Sequence, residues 1–146
     1  MRSDRTLYVA EPPAIYLVRP PLVVDCSVLI AVLFEEDTRE RAAELLAGKS
    51  RHAPYLLDHE IASVAQKKSR SGCSPALIAQ ALSDYAMQDI ALYRTDISAQ
   101  YELAQRYNLS AYDAAYLWLA AELKAPLATF DEKLATAAKA HLASLT

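Results

Sequence analysis

Cysteine is scarce in this sequence: Cys26 and Cys73 are the only two in 146 residues. They form no CxxC pair and no zinc-binding set. Two cysteines do not build a disulfide framework, so the expected compartment is a reducing cytoplasm. The three histidines, His52, His59 and His141, lack metal-ligand spacing as well, and none is expected to bind metal. A surplus of positive charge is missing too. The formal net charge is -3, and a strongly basic footprint for nonspecific nucleic-acid binding is absent. Any nucleic-acid substrate must be held by local cations or by metal. Long apolar runs are lacking: the longest, Val28 to Phe34 and Ala114 to Ala121, fall short of the roughly 18 residues that span a bilayer. Arg2 and Arg5 precede no apolar block with a small-residue cleavage site, so neither export nor membrane insertion is expected. There is no internal repeat and no low-complexity tract.

What remains is a chain with 53% hydrophobic residues, suited to one compact domain with a sizeable core. Residues 1–20 stand apart, with Pro12, Pro13, Pro20 and Pro21 flanking an apolar patch at Ala14 to Val18. They read as an arm or an added edge strand, ahead of a domain over residues 21–146. From Leu22 the rhythm is regular. Leu22 to Val24 reads as a strand stopping at Asp25, and Ser27 as the cap of a helix through Phe34. Asp37 and Glu40 have capping-box spacing for a second helix ending near Gly48. His52 to Tyr55 is a short strand and Leu56 to Lys68 a helix. Ser74-Pro75 opens a helix to about Met87. Ile90 to Tyr93 is β-compatible. Asp96 caps a helix ended by Asn108, Ser110 caps Ala111 to Leu123, Leu127 to Phe130 is a fourth strand, and Asp131 opens the last helix. Strands alternating with helices predict an α/β sandwich with a mainly parallel sheet.

In such sheets ligands bind at the carboxyl ends of strands. Asp25 and Asp131 follow the first and last strands, which places both at one rim. Glu60 and Asp113 lie near the starts of helices leaving that rim. Asp58 precedes Glu60 by two residues, about 200° around a helix, so the two point apart. Two carboxylates about 4 Å apart repel by roughly 4 kcal/mol at an effective dielectric near 20. Protonation or a divalent cation relieves that cost, and oxygen-only ligands suit Mg²⁺ or Mn²⁺. Such an ion activates water and stabilises charge on a phosphodiester. Each acid also has a plainer reading: Asp25 as a strand end or a nucleophilic aspartate, Glu60 and Asp113 as helix-start acids, Asp131 as an N-cap.

The segments VVDCSVLIAVLFEED, LLDHEIASV and LSAYDAAYLWLAAELKAPLATFDEKLATAA resemble the PIN-domain ribonucleases, in the style of the compact VapC-type toxins of toxin–antitoxin pairs. The resemblance covers about residues 22–142. It implies a parallel sheet flanked by helices and a site of Asp25, Glu60, Asp113 and Asp131. Those acids would hold Mg²⁺ or Mn²⁺, with Ser27 and Thr129 as the neighbouring hydroxyls. It implies an endoribonuclease that attacks phosphorus in line with the 3′ oxygen leaving. It further implies a homodimer and a small antitoxin partner, seated near the helices at 37–47 and 56–68. Two other readings stand beside it: a non-catalytic scaffold of the same fold binding protein or RNA, and an aspartate-dependent phosphatase or receiver domain. Tyr112, Tyr116 and Trp118 read as core residues or as platforms for bases. Lys67, Lys68 and Arg70 read as a solvated helix end or a phosphate contact, and Cys26 as a buried small hydrophobe.

Overall fold

The computed structural model describes Tyr8, Ala10 and residues 19–145; most of the arm expected over residues 1–20 lies outside the described residues. The elements run β1 (Pro21–Val24), α1 (Cys26–Leu33), α2 (Arg39–Leu46), β2 (Ser50–Pro54), α3 (Leu56–Arg70), α4 (Pro75–Ala86), β3 (Ile90–Tyr93), α5 (Ile97–Tyr107), α6 (Ala111–Leu123), β4 (Leu127–Ala128) and α7 (Glu132–Ala143). The four strands form one parallel sheet in the order β3-β2-β1-β4.

The expected α/β class is therefore the observed one, and the sequence explains the order. Leu22, Val23 and Val24 are all buried, a continuous apolar run rather than an alternation, as a strand covered on both faces requires. It takes the inner place as β1. Helices pack in two groups: α1 to α4 contact one another, and α5 to α7 are joined through α6. Helix α6 lies against β1, β2 and β4. Six of its residues, Ala114 to Leu117 with Leu119 and Ala120, are buried, so a helix apolar almost all round sits at the centre of the domain.

Side-chain caps fix the helix starts that lead to the site. Ser74, Asp96, Ser110 and Asp131 each accept a hydrogen bond from the backbone N–H three residues on. Asn108 takes a φ of 52° to end α5, the left-handed conformation asparagine tolerates. Among the described residues, no helix is long and apolar enough to cross a membrane.

Four local expectations need correction. Ser27 lies inside α1 rather than capping it, because its hydroxyl is committed to Asp25 and to the N–H of Phe130. Helix α2 starts after Thr38 with no side-chain cap, since a backbone turn from Arg39 N–H to the Glu36 carbonyl closes the bend instead. Strand β2 begins at Ser50, drawn back by pairing with Pro21. Strand β4 stops at Ala128; beyond it, the N–H groups of Phe130 and Asp131 turn to side-chain hydroxyls instead of a strand partner.

Candidate active site

Asp25 follows β1 directly and occupies the N-cap position of α1 with extended backbone. Its own N–H donates to the Ala128 carbonyl of β4, which locks it to the neighbouring strand end. The side chain is only 6% exposed and does not cap its helix. Instead one oxygen, Oδ2, accepts from both Ser27 Oγ and Thr129 Oγ1, each at 2.8 Å. Each hydroxyl in turn accepts a backbone N–H from the turn after β4: Phe130 to Ser27 at 3.0 Å, Asp131 to Thr129 at 2.9 Å. Those N–H groups fix the proton directions, so both hydroxyls must donate to Asp25. The β1–α1 and β4–α7 junctions are stitched through one carboxylate oxygen, and Oδ1 takes no part in the stitch.

The other three acids reach the same cavity by different routes. Asp131 caps α7 through Oδ1, which accepts from Leu134 N–H at 2.8 Å. Asp113 stands in the first turn of α6, its N–H held by Ser110 Oγ at 3.0 Å. Glu60 lies one turn further into α3 than a helix-start acid would, and is held by a different device. Tyr116 Oη donates to Glu60 Oε1 at 2.6 Å from a fully buried position on α6. Asp58 indeed points away, accepting from Tyr85 Oη at 2.6 Å.

A cavity of about 560 Å³ is lined by Asp25, Glu60, Asp113 and Asp131, together with Ser27 and Glu36. The charges sense one another. Burial pushes the Glu60 carboxyl up to about 7, with Asp25 and Asp113 adding to the rise. Burial also raises Asp113, helped by the negative charges of Asp25 and Asp131. Cys26 lies beside them, and burial pushes its thiol up to about 12, so it stays neutral as a packed apolar group. Among the described residues, no three His, Cys, Asp or Glu side chains already stand in an arrangement that holds a metal ion. The donor chemistry nevertheless fits a hard divalent cation. The facing groups are carboxylates that raise one another's proton affinity, the condition a cation relieves.

The sequence reading placed Asp25, Glu60, Asp113, Asp131, Ser27 and Thr129 at the site, and the structure brings all six to one rim. It missed Tyr116 as the holder of Glu60. The signal was present: Tyr116 follows Asp113 by three residues on a helix, which puts them on neighbouring positions of one face. It also missed Glu36, which comes from the irregular turn between α1 and α2 and had no periodicity to mark it.

Comparison with known proteins bears on the family and the fold. The family model described as PIN domain matches residues 22–140. A VapC ribonuclease of Mycobacterium bovis is 33% identical over 125 residues, covering 82% of this chain and 93% of that protein. Ribonuclease VapC9 of Mycobacterium tuberculosis matches to the same extent, 33% over 125 residues, with 82% and 93% covered. The crystal structure of PAE2754 from Pyrobaculum aerophilum superposes with a TM-score of 0.61 at 19% identity, covering 87% of this chain and 96% of that one. At that identity the likeness concerns the fold.

Proposed function

The chain belongs to the PIN-domain family, and from that premise we propose that it is a metal-dependent endoribonuclease whose site is Asp25, Glu60, Asp113 and Asp131. The observation that carries the reading is the single cavity lined by these acids from four separate parts of the chain. The ribonuclease names of its relatives support RNA as the substrate. Asp25, Asp113 and Asp131, with Glu60 beside them, would hold Mg²⁺ or Mn²⁺. When bound, such an ion activates water and offsets charge gathering on a phosphodiester.

The chain's own residues prepare that site. Ser27 and Thr129 occupy Oδ2 of Asp25 and leave Oδ1 as its other acceptor. Tyr116 occupies Oε1 of Glu60, so a proton on Glu60 resides at Oε2. In the metal-free chain burial, with Asp25 and Asp113, raises the Glu60 carboxyl to about 7, a cost that a bound divalent cation would offset. Asp131 both caps α7 and borders the cavity, which ties the rim to the last helix.

The resemblance to VapC-type toxins extends the proposal. The chain acts as a cytoplasmic toxin, pairs as a homodimer, and is neutralised by a small antitoxin protein. Cleavage of a single-stranded RNA by purified protein tests the core of it. Cutting should need Mg²⁺ or Mn²⁺ and stop in chelator. Undiminished cutting in chelator would overturn the metal site, and no cutting with either ion would favour a non-catalytic scaffold.

A further inference from the structure

A second cavity, about 590 Å³, opens beside the acidic one and shares Cys26, Glu60 and Val64 with it. The two cavities adjoin across those three residues and differ in chemistry; the second is called the trough below. The trough is lined by the apolar Leu56 and Val64 and by Tyr112 and Lys67. Tyr112 sits in the first turn of α6, one residue before Asp113, and is 67% exposed. Its neighbour on the same helix, Tyr116, is fully buried and spent on Glu60. Isolated exposed aromatics are ordinary on protein surfaces; this one borders the cavity that adjoins the acids.

The basic run at the end of α3 divides in the same way. Lys68 is directed to the acidic cavity's edge, 3.8 Å from Glu36 of its lining and 5.4 Å from the centre of the Phe34 ring. Lys67 lines the trough, and among the described residues it pairs with no carboxylate. Seven residues separate Glu60 from Lys67 along α3, about 10 Å of helix. A cation bound at the acids and the Lys67 ammonium therefore address different groups of one ligand.

On the reading of this chain as a ribonuclease, we infer that the trough seats the nucleotide next to the scissile phosphate of a single-stranded RNA, Tyr112 stacking on its base and Lys67 meeting its phosphate. The apolar lining and phenol ring suit the face of any base, since stacking is tolerant of sequence. The lysine supplies the local positive charge that the chain's net charge of -3 lacks. A paired duplex would keep its bases stacked on one another, so the ligand is unpaired. The adjoining acids favour RNA over a protein segment, because a strand cut at the acids passes next to this cavity.

The test measures binding of a short single-stranded RNA to the full chain in chelator, and KM for its cleavage with Mg²⁺. Both positions are exposed, so Tyr112→Leu, Tyr112→Phe and Lys67→Gln should fold as wild type. Tyr112→Leu should weaken binding roughly five- to hundredfold, the range for losing one base stack, and raise KM in parallel. Tyr112→Phe keeps the ring and should bind as wild type. Lys67→Gln should lower the slope of log affinity against log salt by about 0.7, one phosphate contact on a single strand. If wild type binds and cuts RNA while Tyr112→Leu and Lys67→Gln leave affinity, KM and salt slope unchanged, the trough assignment is overturned and the ribonuclease reading stands. If those substitutions instead alter only self-association, the trough is a protein interface and the assignment is equally overturned. A wild type that neither binds nor cuts RNA sinks the ribonuclease reading and this inference with it.

Discussion

At the carboxyl rim of the sheet, Asp25, Glu60, Asp113 and Asp131 share a cavity; at the amino rim, Arg19, Lys49 and Arg51 surround another of about 330 Å³, with Asp89 as the one acid in its lining. A net charge of -3 conceals this polarity. The two rims also settle their charges differently. Arg51 donates to the neutral amide of Gln88, and His52 is held between Ser50 Oγ and Tyr93 Oη. Neutral partners from within the fold hold Arg51 and His52. At the carboxyl rim, hydroxyls orient Asp25 and a phenol holds Glu60, yet the acids still raise one another. The amino rim gathers cations around one acid, whereas the carboxyl rim gathers acids whose mutual repulsion a bound cation would relieve. On the proposed reading, the acid rim is the one that does chemistry.

The largest expected effect breaks this contrast at its centre. Asp25→Asn keeps the shape of the side chain but removes its charge, and should lower RNA cleavage by more than about a hundredfold. Asp89→Asn, the same chemical change at the amino rim, should leave the rate as it is. A smaller effect concerns the stitch between the two junctions. Ser27→Ala or Thr129→Val frees Asp25 Oδ2 of one donor and should cost roughly ten- to hundredfold in activity or metal affinity. Thr129→Ser retains the hydroxyl and should keep most of the activity; if activity is instead kept by Thr129→Val and lost in Thr129→Ser, the methyl packing and not the hydrogen bond is at work.

A milder effect should appear in stability against pH. Glu60 starts from 4.5 and is raised to about 7 in the fold. Between those values the folded chain keeps a proton that the unfolded chain has released. Folding stability from this group therefore falls as pH rises through the window, and the full penalty persists above it. Thermal unfolding in chelator from pH 4.5 to 7 should show this fall relative to Glu60→Gln, and saturating Mn²⁺ should offset it above pH 7. Parallel curves for wild type and Glu60→Gln would remove Glu60 from the charged cluster. The smallest change belongs to the amino rim: Arg51→Gln should alter stability by no more than about 0.5 kcal/mol and leave the Mn²⁺ response intact.

Much of the rim was legible because strand ends and caps are written locally. Ile90 to Tyr93 was read to the residue, as was Ala111 to Leu123. Ser74, Asp96, Ser110 and Asp131 cap as their spacing implied. Asp25 stood out as a charge closing an apolar strand. Legibility failed where long-range bonds override local preference. Ser27 looks like a cap, but Phe130 N–H, 103 residues away in sequence, claims its oxygen. Thr129 and Phe130 look like strand, but the same stitch bends them out of the ladder. Tyr116 reads as core, which it is; that its hydroxyl ends on Glu60 of α3 depends on how α3 and α6 pack.

The most direct test measures bound Mn²⁺ and RNA cleavage on the same samples, for wild type and Asp25→Asn, with ion titrated in after chelation. The acid-rim account predicts that cleavage rises in step with bound ion in wild type, and that both are lost together in the variant. Cleavage that persists with no ion bound, or that survives Asp25→Asn undiminished, would contradict it.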